Sequence, residues 1–233
     1  EEGQDKENPP GSMMPHPHQS MSSIVIVGAG GFDREVYGYA RAMPENGAEW
    51  AIKGFVDDNP RALDGYDDIA HPILGPIREY QPAPGDVFVN GIGQPALRRE
   101  LVGILAAKGA VFTSVIHPSA VIGRNVAHGV GCVFPPNVVV TADARIGDHV
   151  CLNVGTCVSH NATLGDFVQT SNFCDITGYV TLEDGVFLGS HASVLPNVTV
   201  GAWAKVGAGA VVVNDVAPDS TVVGVPARRL PGR

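Results

Sequence analysis

Ile146-Gly-Asp-His-Val-Cys151 is followed directly by Leu152-Asn-Val-Gly-Thr-Cys157, Val158-Ser-His-Asn-Ala-Thr163 and Leu164-Gly-Asp-Phe-Val-Gln169. Set in sixes, the pattern runs without an insertion from Ile116 to Ala217, seventeen consecutive hexads. The first position is aliphatic in fourteen of them, the exceptions being His128, Phe134 and Thr170. The fifth position is Val, Ala, Cys or Thr in all seventeen, and Gly follows the first position seven times. Neither an amphipathic helix nor an alternating strand reproduces a strict period of six, whereas stacked short parallel strands do. Each hexad supplies one strand and one corner, and three make a triangular coil of roughly eighteen residues. The aliphatic first position fills the interior. The small fifth position also points inward, where a larger group would strike the neighbouring coils. Glycine and asparagine serve the corners, where positive φ is needed.

Outward from the repeat, the 233-residue chain carries a formal charge of −9, which disfavours a polyanionic partner such as nucleic acid. No apolar run is long enough for a membrane span and no secretory pattern is present, so the expected location is cytoplasmic. All four cysteines (132, 151, 157, 174) lie in the repeat, without the spacing of a zinc knuckle, and read as reduced, buried, small hydrophobes. Residues 1–22 are polar and Pro-rich; they read as a leader added for expression and a mobile tail, with His16 and His18 alternating with prolines.

Residues 23–115 read as a small α/β domain with a parallel sheet. Ser23–Val27 forms a strand, and Gly28-Ala-Gly-Gly-Phe-Asp33 turns into a helix capped by Asp33, running from Arg34 to Met43 and burying Val36, Ala40 and Met43. A second strand over Ala51–Val56 delivers Asp57 and Asp58. Helices are expected over Gly75–Tyr80 and Pro95–Lys108, with strands over Asp86–Val89 and Val111–Val115. Ligands are expected at the strand C-termini. The turn lacks the sixth glycine of a dinucleotide fingerprint, because Asp33 stands there. Two readings remain: a tight strand-to-helix turn, or a phosphate or sugar nucleotide held by amides at a helix N-terminus.

Gly28-Ala-Gly-Gly-Phe32, Gly54-Phe-Val-Asp-Asp58, Ile92-Gly-Gln94 and Ile116-His-Pro-Ser-Ala120, followed by the repeat, resemble the sialic-acid O-acetyltransferase-like hexapeptide-repeat family. Its members include N-acetyltransferases of nucleotide-linked amino sugars of the bacillosamine and perosamine type. The resemblance implies a Rossmann-like sugar-nucleotide domain (23–115) and a left-handed parallel β-helix acyltransferase domain (116–233). It also implies acetyl-CoA as co-substrate and a homotrimer with the coenzyme between neighbouring subunits. Gly28, Gly30, Gly31, Phe32, Asp57, Asp58 and Gly93 would hold the sugar nucleotide. Asn153, Gly178, Ser190, Ala208, Pro226 and Ala227 would line the acyl-CoA site, with the Gly178 amide facing the acetyl carbonyl. In the segment Leu152–Asn161, Asn153 and His160 match the family, but Asn161 stands where it carries Asp or Glu, and Gln169 stands where some members have a second His.

The chemistry agrees with those residue types. Acetyl transfer from a thioester requires removal of a proton from the nucleophile, which suits a histidine at neutral pH, and an amide donor for the oxyanion. His160 occupies a third position and projects outward. Asn161 can orient the imidazole through its carbonyl oxygen without supplying charge. His149 and His191, at fourth positions, read as surface or interface residues, while His117 and His128 have no evident partner. An amine depends less on its base than a hydroxyl does, which favours N-acetylation over O-acetylation. Two other classes stay open. A zinc enzyme on the same repeat would need three converging histidines, with no metal expected from the spacing of these; a non-catalytic ligand-binding protein would explain Asn161.

Overall fold

The computed structural model describes residues 22–43 and 50–231. His16 and His18 lie outside the described residues.

The N-terminal part is one five-stranded parallel sheet in the order β3-β2-β1-β4-β5, made of β1 (Ser22–Val27), β2 (Trp50–Val56), β3 (Ile73–Gly75), β4 (Asp86–Asn90) and β5 (Val111–Phe112). Helix α1 (Gly31–Ala42) buries Val36, Tyr37 and Ala40, and α2 (Pro95–Ala106) buries Leu101, Val102 and Leu105. Strand β1 is apolar throughout its second half because both faces are covered. Two expectations change. Gly75–Tyr80 is no helix: Gly75 ends β3, and Pro76 closes one turn by accepting from Glu79 and Tyr80. Pro76 can begin such a turn, but the six residues are too few to continue it. Val111–Val115 is likewise not one strand, since Val111–Phe112 closes the sheet whereas Val115–Ile116 opens the repeat.

From Val115 the chain is a β-solenoid. Val121 pairs with Val139, Val139 with Cys157 and Cys157 with Asp175, a constant step of eighteen residues, and parallel ladders of this kind build three faces. The first face runs through Val115, Val133, Cys151, Gln169, Phe187 and Lys205. The second carries Val121 to Val211 and the third Ala127 to Thr199. First and fifth positions from Cys132 to Val212 form one continuous apolar core, interrupted only by the paired hydroxyls of Thr156 and Thr170, 3.0 Å apart. The opening coil is looser, and Ile122 is 36% exposed because no coil covers its outer side.

Every corner from Asn125 to Gly209 places its fourth residue in the left-handed region, at φ between 54° and 64° for the non-glycine residues. Asparagine and glycine adopt it readily, but here Phe167, Phe173, Tyr179, His191 and Trp203 do too. Stacking between coils offsets the strain, as in the His149–Phe167 pair (5.2 Å, 11°) and the Phe173–His191 pair (5.3 Å, 18°). On the third-to-first corner, Asp148, Asp166 and Asp184 each accept the N–H of the third residue one coil below, at 2.7–2.8 Å. A side chain at Gly129, Gly147 or Gly165 would strike those carboxylates, so glycine precedes the third position there. The seventeenth hexad departs from the period. Val216 pairs with Val200 and Val222 with Val206, a step of sixteen, so the last corner is two residues shorter.

The α/β part sits on the first face. Val115, Val133 and Cys151 share a core with Ile24, Ala29 and Val36. Fully buried Arg98 of α2 reaches across, donating to Ile92 O (2.9 Å), Gln169 Oε1 (2.6 Å), Phe167 O (2.8 Å) and Val168 O (3.1 Å). His149 is not a surface residue. It is buried between Phe112 and Phe167, and burial holds its pKa below the usual histidine value.

Candidate active site

His160 and Asn161 occupy the corner between the second and third faces. His160 Nδ1 lies 3.1 Å from Asn161 Oδ1, so an Nδ1–H donated to that oxygen leaves the Nε2 lone pair free. Asn161 sits at φ 59°, where asparagine is among the residues least penalised. Tyr179, one coil on, packs edge-to-face on the imidazole at 5.3 Å. Gly178 lies beside it: a Cβ there would fall 2.9 Å from Nε2 and 2.7 Å from Cε1, so any side chain would displace the ring. Among the described residues no acceptor takes the Gly178 N–H, whereas the Asp148–Asp166–Asp184 ladder caps the corresponding amides on the next corner. A free base nitrogen, a free amide donor and no side chain between them suit a carbonyl group and a nucleophile.

The other residues expected at the acyl-CoA site lie elsewhere on this chain. Asn153, Ser190 and Ala208 belong to the first-to-second corner, where Asn153 Oδ1 accepts the Val154 N–H (2.8 Å) and Ser190 O accepts from Gly209 (2.8 Å). Pro226 and Ala227 fold back over the second face, and Ala227 N–H donates to Val211 O at 2.8 Å. Gln169 is buried beneath the α/β part, accepting from Arg98 and donating to Thr170 O at 2.7 Å.

The residues expected at the sugar-nucleotide site converge at the C-terminal ends of β1, β2 and β4. Gly30, not Asp33, caps α1; Asp33 is the third helical residue and accepts the Gly30 N–H at 2.8 Å through Oδ2. That places the helix start at Gly31, where the N–H groups of Gly31 and Phe32 have no acceptor among the described residues. Asp57 accepts from Ala29 N–H (2.8 Å) and Asn59 N–H (2.7 Å), and Asp58 from Ile77 N–H (2.9 Å). Both carboxylates therefore brace loops, with lone pairs to spare for a ligand. Gly93 faces a cleft of about 740 Å³ between the start of α2 and the first face, lined also by Arg99, Trp203 and Lys205. Sequence reading missed Arg34, whose Nη1 donates to Ala29 O (2.8 Å) and whose guanidinium lies 3.9 Å from the Tyr66 ring centroid. It took Asp33 for the helix cap and missed its burial, which pushes its pKa up to about 7. Among the described residues, no three His, Cys, Asp or Glu side chains come together as a metal set, and no helix is long and apolar enough to cross a membrane.

A hexad-built solenoid with a paired histidine and a free amide on one outer corner defines the hexapeptide-repeat acyltransferase class. Residues 23–105 match the PglD N-terminal domain, and residues 179–214 match the bacterial transferase hexapeptide (six repeats). PerB from Caulobacter crescentus, solved in complex with CoA and GDP-perosamine, is 30% identical, with 91% of this chain and 99% of that one covered at a TM-score of 0.80. The acetyltransferase domain of PglB from Neisseria gonorrhoeae FA1090 is also 30% identical, over 89% of this chain and 99% of that one, at a TM-score of 0.80. GDP-perosamine N-acetyltransferase of Escherichia coli O157:H7 is 28% identical over 222 residues, 90% of this chain and 97% of that protein. Serine acetyltransferases of Buchnera aphidicola and Bacillus pumilus match about half of this chain, which spans 38% and 53% of their lengths. The chain belongs to the hexapeptide-repeat acetyltransferase family of PerB and the PglB acetyltransferase domain.

Proposed function

We propose that the protein transfers the acetyl group of acetyl-CoA to the amino group of a nucleotide-linked amino sugar. The amine nitrogen attacks the thioester carbonyl while His160 Nε2 takes its proton, Asn161 holds the ring through Nδ1–H, and the Gly178 N–H stabilises the oxyanion. Collapse of the tetrahedral intermediate breaks the C–S bond. The departing thiolate leaves with the proton from the imidazolium, and the products are CoA and the N-acetyl sugar nucleotide. The relatives with matching architecture, bound to CoA and GDP-perosamine in the case of PerB, support this substrate class. The observation that carries the reading is the His160–Asn161 hydrogen bond beside the uncapped Gly178.

The site is assembled between copies in this reading. The nucleotide turn lies over the first face, and His160 projects from the corner opposite that face, so the solenoid stands between them in one chain. Asn153, Ser190 and Ala208 are likewise separated from His160 by the second face. A homotrimer brings the corner of one subunit to the turn of the next, with acetyl-CoA in the groove. The test is turnover with acetyl-CoA and a panel of nucleotide-linked 4-amino sugars, followed by released thiol. His160→Ala lowers kcat by roughly 10²–10⁴ with the CoA Kd unchanged. An unchanged kcat removes His160 from the mechanism, and no turnover in the parent with any amino sugar removes the reaction.

A further inference from the structure

The nucleotide turn contains a group that works against an anion. Asp33 is 5% exposed, its Oδ1 has no hydrogen-bond partner among the described residues, and its Oδ2 takes the Gly30 N–H. It is wedged between backbones, since a side chain on either Gly28 or Gly91 would collide with its carboxylate. The helix N-terminus that would receive a phosphate is thus already occupied on its inner side by a carboxyl group. Asp57 approaches from the end of β2 and adds repulsion; Arg34 on α1 offsets part of it; Cys151 faces Asp33 from the first face of the solenoid. Gly91 follows β4 so closely that a side chain there would strike the Asp33 carboxylate, and Asn90, the last residue of β4, carries no charge. Burial, with the Asp57 charge behind it, pushes the Asp33 carboxyl up to about 7, within reach of physiological protonation.

Resting on the sugar-nucleotide reading of this turn, we propose that Asp33 is a positioning residue that takes up a proton when a nucleoside-diphosphate sugar binds. The diphosphate accepts from the open N–H groups of Gly31 and Phe32 and lies against Asp33 and Asp57. An ionised Asp33 would place a buried negative charge against the incoming phosphates, at low dielectric and with no counter-charge on its Oδ1. The neutral acid keeps its Oδ2 on the Gly30 N–H and removes that repulsion. Ligand and proton therefore favour each other by the same factor.

The sign follows. Below the Asp33 pKa in the free protein the acid is already neutral, and affinity is flat. Above about 7, each pH unit weakens binding by up to about tenfold until the pKa of the bound state is passed. The experiment is calorimetry of the full chain with UDP-glucose, GDP-mannose and dTDP-glucose, whose diphosphates carry no proton that titrates near neutrality. Titrations at pH 6 and pH 8, each in two buffers of different ionisation enthalpy, read proton uptake directly on the unmodified protein. Uptake approaching one proton per site at pH 8, together with a weaker Kd, is the expected result. Asp33→Asn is expected to bind at pH 8 as the parent does at pH 6, with no uptake. Binding that is pH-independent and takes up no proton overturns the role of Asp33 and leaves the nucleotide reading standing. Failure of all three sugar nucleotides to bind at either pH removes the reading, and the inference with it.

Discussion

His160 and Asn161 show how a departure from a family pattern can be judged by geometry. A carboxylate beside the histidine would both orient it and stabilise the imidazolium, whereas the Asn161 amide oxygen at 3.1 Å can only orient it. Asn161→Asp supplies the carboxylate's charge and is therefore expected to give an equal or higher plateau in kcat/KM. Removing the acceptor requires care at φ 59°, where leucine would add backbone strain. Glycine is unstrained there, and Asn161→Gly should cost on the order of 10²-fold in kcat. A glycine variant as active as the parent would retire the orienting role. Asp33 makes a separate prediction about stability. Its pKa is raised on folding, so its contribution is complete below the ordinary carboxylate range and is lost as pH climbs to about 7. Asp33→Asn should flatten that loss, worth on the order of a few kcal/mol, so that its Tm rises relative to the parent at pH 8 and not at pH 4. The frame of sixes showed only that His160 projects outward; its pairing with Asn161 and the part given to Gly178 came from the resemblance to the family, and the structure sets the three side by side. Asp33 was read as a helix cap and as a missing glycine; its burial was not legible, since it depends on Gly91, which follows a different strand.

Among the elements, the hexad announced the solenoid because its interior first and fifth positions recur every six residues, and the observed step of eighteen follows from it. What the period could not reveal is where it stops applying. Val212-Val-Asn-Asp-Val-Ala217 fits the pattern as written, yet the pairing of Val216 with Val200 shortens that corner. Asp215 accounts for the fit, accepting the Thr199 N–H at 2.8 Å from the shortened loop. Gly75–Tyr80 misled for a related reason: a proline after a strand starts a turn as readily as a helix. The Gly-Asp pairs on the third-to-first corner carry a prediction of their own. Gly165→Ala forces a methyl group against the Asp184 carboxylate that holds the Asp166 N–H. It should destabilise the protein by about 1–3 kcal/mol, read from the denaturation midpoint with m unchanged. A neutral substitution would show that the Asp ladder adds nothing to the stacking of coils.

The molecule as a whole places its two candidate half-sites on opposite sides of the solenoid, and this could not be read from sequence. The α/β part docks through the core that Val115, Val133 and Cys151 share with Ile24, Ala29 and Val36, and through Arg98, whose side chain meets residues 69 to 71 positions away and whose helix gives no hint of it. Only once that contact fixes the first face does it follow that His160 points away from the glycine turn. A trimer by light scattering at micromolar concentration is expected, and a monomer would leave each chain with half a site. The most direct test mixes two inactive variants. His160→Ala removes the base, and Gly31→Leu fills the turn at a position where the structure has open space for the added side chain. Co-expressed in equal amounts, the two should form mixed trimers in which about a quarter of the sites combine an intact histidine with an intact turn, as random assembly of a closed ring requires. Recovery of about a quarter of the parental kcat is the predicted result. If the mixture is as inactive as either variant alone while mixed trimers are present, histidine and turn act within one chain, and the shared site is wrong.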